Sequence, residues 1–232
     1  MNYKNKKFLV NTLTLLPEAF LGLLDVSILG NAKKKGIWDL EITDIKEFAN
    51  KGRKVDDKPF GGGPGMILKP DVLQSAYEYS VKSINKKVSN YHKIMLTPRG
   101  ERLNQSIVRE LSQGEGMILV CGRYEGVDQR FIDFNDLREI SLGDFVISGG
   151  EAAALTLIDA VVRLLPNTLG NPLSLNEESF NNNLIEYLQY TKPRSWNNLE
   201  VPSILLSGNH NKIREWRLQK SLEVEKKKKK NR

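Results

Sequence analysis

The sequence predicts an α/β fold built on a parallel sheet. Apolar strand candidates alternate with helix candidates along the first 167 residues, the order that βα units produce. Met117–Cys121 is a continuous apolar run bounded by glycines, as a strand buried on both faces requires. Glycine-rich turns follow the strand candidates, at the end of a parallel sheet where ligands bind.

Taken in order, Leu9–Leu15 reads as the first strand. Pro17 and Glu18 open a helix, with proline at its first position and an acid in its first turn, and Gly30 stops it after Leu29. Ile37–Thr43 alternates apolar and polar residues and reads as a strand. Residues 55–70 form a loop, followed by a helix near Asp71–Ser83. Lys93–Leu96 is a short buried strand ending at Thr97 and Pro98. Leu103, Ile107, Val108 and Leu111 share one face of a helix. Phe145–Ile147 is predicted as a strand and Ser148–Glu151 as a strand-to-helix turn, with Ser148 and Glu151 at the capping-box spacing. The Ala-, Leu-, Ile- and Val-rich helix beyond runs to about Leu165, where Pro166 ends it.

Residues 168–183 change character, with Asn171, Asn176, Asn181, Asn182 and Asn183 beside Gly170 and Pro172. They are predicted as a flexible linker. It separates a domain over 1–167 from a small, mainly helical C-terminal domain over 184–225 and a basic tail over 226–232 predicted to be disordered.

The totals exclude several classes. At 40% hydrophobic residues the 232-residue chain can build a core. One cysteine, Cys121, forbids an intrachain disulfide and favours a cytoplasmic setting. Lys4, Lys6 and Lys7 precede only a short apolar run, which reads as a strand rather than a signal peptide. No apolar run approaches the roughly 20 residues that cross a membrane, so no membrane partner is expected. Of the net charge of +7, residues 226–232 carry +6, so the body is nearly neutral and charge alone does not decide for an RNA partner.

Neither the glycine fingerprint of a dinucleotide fold nor a P-loop is present. With only His92 and His210, a histidine triad or a metal centre is not expected, and Cys121 at the end of an apolar strand reads as inert core. What remains is Leu96–Gly100, Cys121–Gly126 and Ile147–Glu151. Each turn alone is readable as a mere tight turn; together they point to a flat ligand read by main-chain groups. The loop Asp56–Met66 holds four glycines in five residues, costly to order. Pro59 and Pro64 stiffen it, which fits a shaped loop better than a tether.

The stretch Val55–Met66 (VDDKPFGGGPGM) resembles the signature of the bacterial tRNA (guanine-N1)-methyltransferases. Leu119–Asp128 (LVCGRYEGVD), Leu142–Glu151 (LGDFVISGGE) and Leu205–His210 (LLSGNH) resemble that family's other blocks, in the right order, within a resemblance covering about residues 9–222. It implies a homodimer with shared active sites, and a deep trefoil knot of the SPOUT type. The residues alone predict an unknotted sheet, because threaded connections are rare. It further implies transfer of a methyl group from S-adenosylmethionine to N1 of guanine at tRNA position 37, beside the anticodon. Leu96, Thr97, Pro98, Gly122, Glu125, Gly126, Phe145, Ile147, Gly149 and Gly150 are implied to bind the cofactor. Asp56, Pro59 and Glu125 are implied to hold the guanine and its 5′ neighbour. A need for Mg2+ comes with the resemblance too, although no carboxylate cluster in the sequence demands it.

Guanine N1 carries a proton at neutral pH, so the reaction needs a carboxylate near N1 and a cation or donor near O6. By resemblance Arg163 is the O6 partner and Glu178 the base. The family's Glu-Asp-Ser-Phe pattern reads Glu177-Glu178-Ser179-Phe180 here, so glutamate replaces the usual aspartate and Glu177 stays an alternative. Without the resemblance, Arg163 reads as a cation meeting a helix dipole, and both glutamates as solvated charge. Gly150 and Arg163 begin and nearly end one helix, roughly 20 Å apart, so Arg163 of a second chain is expected to complete the site.

Asn209 is predicted to cap a helix bearing Lys212, Arg214, Arg217 and Lys220, with Trp216 among them. Such residues contact phosphates and stack bases; a plain solvated helix is the alternative. Two departures stand out: Leu188 replaces a common proline, and the chain ends soon after Leu222, where relatives often carry another helix. The rival functions are a ribose 2′-O-methyltransferase on the same knot and a non-catalytic RNA-binding protein.

Overall fold

The structure is a computed structural model that describes residues 7–49, 54–84, 88–170 and 185–230. The chain divides into two compact units, Met1–Gly170 and Asn171–Arg232, and the division falls inside the predicted 168–183 linker.

The first unit is built on five parallel strands, β1 (Phe8–Thr14), β2 (Trp38–Asp44), β5 (Tyr91–Arg102), β6 (Gly116–Cys121) and β7 (Arg138–Ser141), in the order β2-β1-β6-β5-β7. A short antiparallel pair, β3 (Asp56–Asp57) and β4 (Ile67–Leu68), lies outside that sheet. Its helices are α1 (Ser27–Lys34), α2 (Pro70–Ser83), α3 (Gln105–Ser112), α4 (Gln129–Asn135) and α5 (Gly150–Val162). Strand periodicity decides the layers. Met117, Leu119 and Cys121 of β6 join Phe8 and Val10 in a cluster with α1, α3 and α5. Ile118 and Val120 point the other way, to Leu13 and residues of α2 and α4. Every residue of β6 is buried, as its uninterrupted apolar run requires. Polar Asn11 in β1 is tolerated because its Nδ2 donates to Ser80 O (3.1 Å) and Ser80 Oγ (3.0 Å) of α2.

Several expectations are corrected. The single helix from Pro17 to Leu29 is instead two 3-10 turns, Pro17–Phe20 and Leu23–Asp25, and then α1. Gly30 lies inside α1 rather than at its stop. A Cβ there would sit 2.1 Å from Asp25 O, so the glycine serves close approach, not termination. β5 does not end at Thr97–Pro98; it continues to Arg102 with a register irregularity against β7 between Leu96 and Glu101. Phe145–Ile147 pairs with no strand: Phe145 is 56% and Val146 87% exposed. The strand beside β5 at that edge of the sheet is β7, whose charged Arg138 and Glu139 hid it. α4 also went unread, although Asp128 caps it by accepting from Arg130 N–H.

In the second unit, β8 (Ser195–Trp196) and β9 (Leu199–Glu200) form an antiparallel pair. They precede a 3-10 turn at Ser203–Leu206 and α6 (His210–Lys230). Asn209 caps α6 as predicted, its Oδ1 accepting from Lys212 N–H at 3.2 Å. The helix runs on through Lys226–Lys230, where the sequence predicts disorder. Lysine is a good helix former, and cations meet the negative end of the helix dipole favourably. Among the described residues no helix is long and apolar enough to cross a membrane.

Gly30→Ala sets two effects against each other. Alanine gains about 1 kcal/mol of helix propensity, but its Cβ meets backbone that cannot swing aside, an overpacking cost of about 1–3 kcal/mol. The expected result is net destabilisation, seen as a lower midpoint in chemical denaturation; a midpoint at or above wild type would show that the Asp25 turn yields.

Candidate active site

At the C-terminal ends of β5 and β6 the first unit opens into a cavity of about 680 Å³. Leu96, Thr97 and Pro98 line it from the irregularity in β5, Gly122 to Gln129 from the turn after β6, and Leu142, Gly143 and Phe145 to Gly150 from the segment leading into α5. Pro59 and Phe60 line it from the glycine-rich loop. The residues expected to bind a cofactor, Leu96, Thr97, Pro98, Gly122, Glu125, Gly126, Phe145, Ile147, Gly149 and Gly150, are thus brought to one place with Pro59. Phe145 and Ile147 reach it from a loop rather than a strand.

The segments are locked by main-chain contacts. Gly150 N–H donates to Gly122 O at 2.9 Å, and a Cβ on Gly150 would stand 2.8 Å from Cys121 Cα. Only glycine lets the start of α5 lie on the end of β6. The loop before β4 is bound to the turn after β6: Glu125 N–H donates to Met66 O (3.0 Å), Leu68 N–H to Gly126 O (3.0 Å) and Asp128 N–H to Leu68 O (3.2 Å). Gly61, Gly62, Gly63 and Gly65 all have positive φ, so these glycines shape the loop. The Glu125 side chain lies against Gly65, where a Cβ would meet its Cγ at 2.3 Å.

Arg123, which lines the cavity, is half of an ion pair with Glu151 that nothing in the sequence announces. Glu151, 5% exposed, does not close a capping box; the residue before α5 is Gly149, with no side-chain cap. Glu151 Oε1 instead accepts from Thr14 Oγ1 (2.8 Å) at the end of β1. Its Oε2 lies 3.3 Å from Arg123 Nε. Arg123 Nη1 donates to Ser148 O (2.8 Å), and Thr14 Oγ1 accepts from Leu16 N–H (2.9 Å). The signal available in sequence is an acid in the first turn of a mostly apolar helix, whose partners Thr14 and Arg123 stand far from it along the chain. Burial, and then the Glu151 charge, push the Cys121 thiol well above its ordinary range, in keeping with inert core.

Other expected site residues lie elsewhere. Asp56 pairs with Leu68 in the β3–β4 ladder and is not among the residues lining the cavity. Arg163 follows the last turn of α5, the end away from the cavity. Lys212, Arg214 and Arg217 are on α6 in the second unit. There Arg217 lies over the Tyr187 ring at 4.7 Å and Trp216 lies 6.3 Å from Tyr190, so both are engaged within their own unit. Glu177 and Glu178 lie outside the described residues.

A family model described as tRNA (Guanine-1)-methyltransferase TrmD matches residues 8–232. The chain is similar to a protein of Ehrlichia canis (strain Jake) named tRNA (guanine-N(1)-)-methyltransferase, 50% identical over 91% of this chain and 89% of the relative. Proteins of the same name from Ehrlichia ruminantium (strain Gardel) and Agrobacterium fabrum (strain C58) are each 48% identical over 94% of this chain, and over 92% and 93% of their own lengths.

Glu151→Gln keeps size and can still accept from Thr14, but it removes the charge that faces Arg123. The expected cost is on the order of 1–3 kcal/mol, below the roughly 3–5 kcal/mol of a fully buried pair, because Arg123 keeps 23% of its side chain in water. Urea denaturation checks this, and an unchanged midpoint would mean that the pair does not hold α5 in place.

Proposed function

Because the chain belongs to the tRNA (guanine-1)-methyltransferase family, we propose that it transfers the methyl group of S-adenosylmethionine to N1 of guanine at tRNA position 37, beside the anticodon, and so supports reading-frame maintenance in the cytoplasm. The observation that carries this reading is the cavity in which the three glycine turns meet at the C-terminal end of the sheet.

The cavity fits that donor. Its 680 Å³ lies within the roughly 300–1,000 Å³ of small-molecule sites. Leu96, Pro98, Ile140, Leu142 and Ala153 offer apolar walls, and the peptide edges at 122–126 and 147–150 offer donors and acceptors for an adenine. Bound there, S-adenosylmethionine supplies an electrophilic methyl group on a cationic sulfur. Leu96, Thr97, Pro98, Gly122, Gly126, Phe145, Ile147, Gly149 and Gly150 hold it on this reading. Glu125, Asp56 and Pro59 hold the guanine and its 5′ neighbour.

The remaining task is proton and charge handling at the base. Glu178 takes the proton from N1, and Arg163 donates to O6 as negative charge gathers there. Glu178 does so with one methylene more than the family's usual aspartate. Arg163 stands about 20 Å along α5 from Gly150, by the rise of a helix, so it serves the cavity of a second chain. A homodimer with composite sites follows. The deep knot belongs to this reading too. Supporting it, the segment after β7 meets the turn after β6 at two points, the Gly150–Gly122 bond and the bridge between Arg123 and Gly149. Lys212, Arg214 and Arg217 of α6 supply phosphate contacts to the tRNA. Among the described residues no group of three or more His, Cys, Asp or Glu side chains could hold a metal ion.

Methyl transfer to unmodified tRNA, with the product nucleoside identified, tests the reading: 1-methylguanosine is expected, and a 2′-O-methyl product or none would overturn it. In the same assay Glu178→Gln should lower kcat by about 10²–10⁴-fold, while Glu178→Asp stays active. Loss of turnover in Glu177→Gln alone would move the base one residue upstream.

Composite sites make a separate prediction. Arg163→Ala and a bulky substitution of Gly149, each inactive, should recover part of the activity when refolded together as mixed dimers. Absence of recovery in mixtures shown to exchange subunits would put both functions in one chain.

A further inference from the structure

Phe60 is 98% exposed, more than any other large hydrophobic residue among the described ones. An aromatic ring in water forgoes the burial that would stabilise it, so its place matters. It sits in the loop between β3 and β4, and it lines the rim of the cavity together with Pro59. The loop is not loose. Gly62 N–H donates to Pro59 O (3.2 Å), closing a turn around Phe60. The three main-chain bonds from the 125–128 segment to Met66 and Leu68 hold the loop's return to β4 against the cavity wall. Cationic Lys58 and carboxylates Asp56 and Asp57 flank the ring on its N-terminal side, and no side chain follows it at Gly61, Gly62 or Gly63. A flat object can therefore approach the ring without meeting a neighbouring side chain on that flank.

We propose that Phe60 is a stacking platform for a nucleobase adjacent to the one that enters the cavity, and so a tRNA-positioning residue. This rests on the methyltransferase reading above and adds to it a stacking residue next to Pro59. The chemistry favours a base over an aliphatic partner. Single-stranded bases splayed from a loop stack on exposed aromatic rings, each worth about 1–3 kcal/mol, and every base has a face to offer. A guanine turned into a cavity leaves the bases beside it unstacked at the rim, which is where Phe60 stands.

The test is a double-mutant cycle between protein and RNA, with turnover of wild-type protein on intact tRNA as the control. Failure of that control would refute the methyltransferase reading rather than this proposal. Phe60→Ala should raise KM for tRNA about 5- to 150-fold, the range of one stacked base, with a smaller change in kcat. Phe60→Trp should stay near wild type, and Phe60→Leu should fall with alanine. In tRNA carrying an abasic nucleotide directly 5′ or directly 3′ of the target guanine, one of the two substitutions should abolish the difference between wild type and Phe60→Ala. The proposal is overturned if the alanine penalty persists in both abasic substrates or if leucine serves as well as phenylalanine. It is also overturned if alanine weakens S-adenosylmethionine binding as much as it weakens tRNA, or if it shifts the oligomeric state in sedimentation, which would make a second copy the ring's partner.

Discussion

Glu151 is the point on which the first unit turns. A carboxylate with 5% exposure needs its charge and its lone pairs met inside the protein, and the residues that meet them come from distant parts of the chain. Thr14 stands at the end of β1 and Arg123 just after β6, while Glu151 itself opens α5. Arg123 reaches on to Ser148 O, so the same contact that satisfies the acid holds the turn leading into the helix. Remove the acid and the N-terminus of α5 loses its tie to Thr14 at the end of β1 and the charge that faces Arg123. The network thus converts a packing problem, seating a helix on the end of a buried strand, into a defined position for the Gly149–Gly150 turn.

That position explains the style of the cavity. Part of its lining is peptide edge held by other peptide edges: Gly150 to Gly122, Glu125 to Met66, Gly126 to Leu68. Side chains with free rotamers would have to be ordered when a ligand enters, whereas main chain bonded in this way is ordered already. A ligand read by such groups meets little further entropy cost from the protein. The same economy forbids substitution at Gly150, where a Cβ would lie 2.8 Å from Cys121 Cα.

The sheet was legible where a strand is buried on both faces. Met117–Cys121 could be nothing but a central strand, and β6 is buried throughout. One of the two edges was not: β7 begins Arg138-Glu139, both partly exposed, whereas β2 at the other edge shows in the apolar and polar alternation of its residues. Phe145-Val146-Ile147 misled for the complementary reason. Three apolar residues read as a strand, yet they face the cavity and solvent, because ligand-facing loops share the composition of cores. The glycine turns were read as ligand contacts, and the cavity does gather them. Gly30 shows the limit of that logic, since a glycine may serve close approach within a helix instead of ending one. Arg123 and Thr14 were invisible because their meaning depends on a contact with Glu151 that spans 137 residues in one direction.

On the proposed reading, the residues of this chain divide by task along the sequence. The groups assigned to the methyl donor lie between Leu96 and Gly150, within one folded unit. The groups assigned to proton and charge handling, Arg163 and Glu178, come after it. Binding the donor then asks nothing of the second unit, whereas turnover asks for residues that the cavity does not supply from its own lining. An enzyme built this way holds its donor ready but cannot act until the far end of another α5 and the segment bearing the base are brought in. The first 225 residues carry only +1 of the net +7, so on this reading the C-terminal lysines supply most of the net charge that attracts a polyanion at long range. Recognition of the target base must therefore come from short-range contacts at the cavity, where charge does little and shape decides.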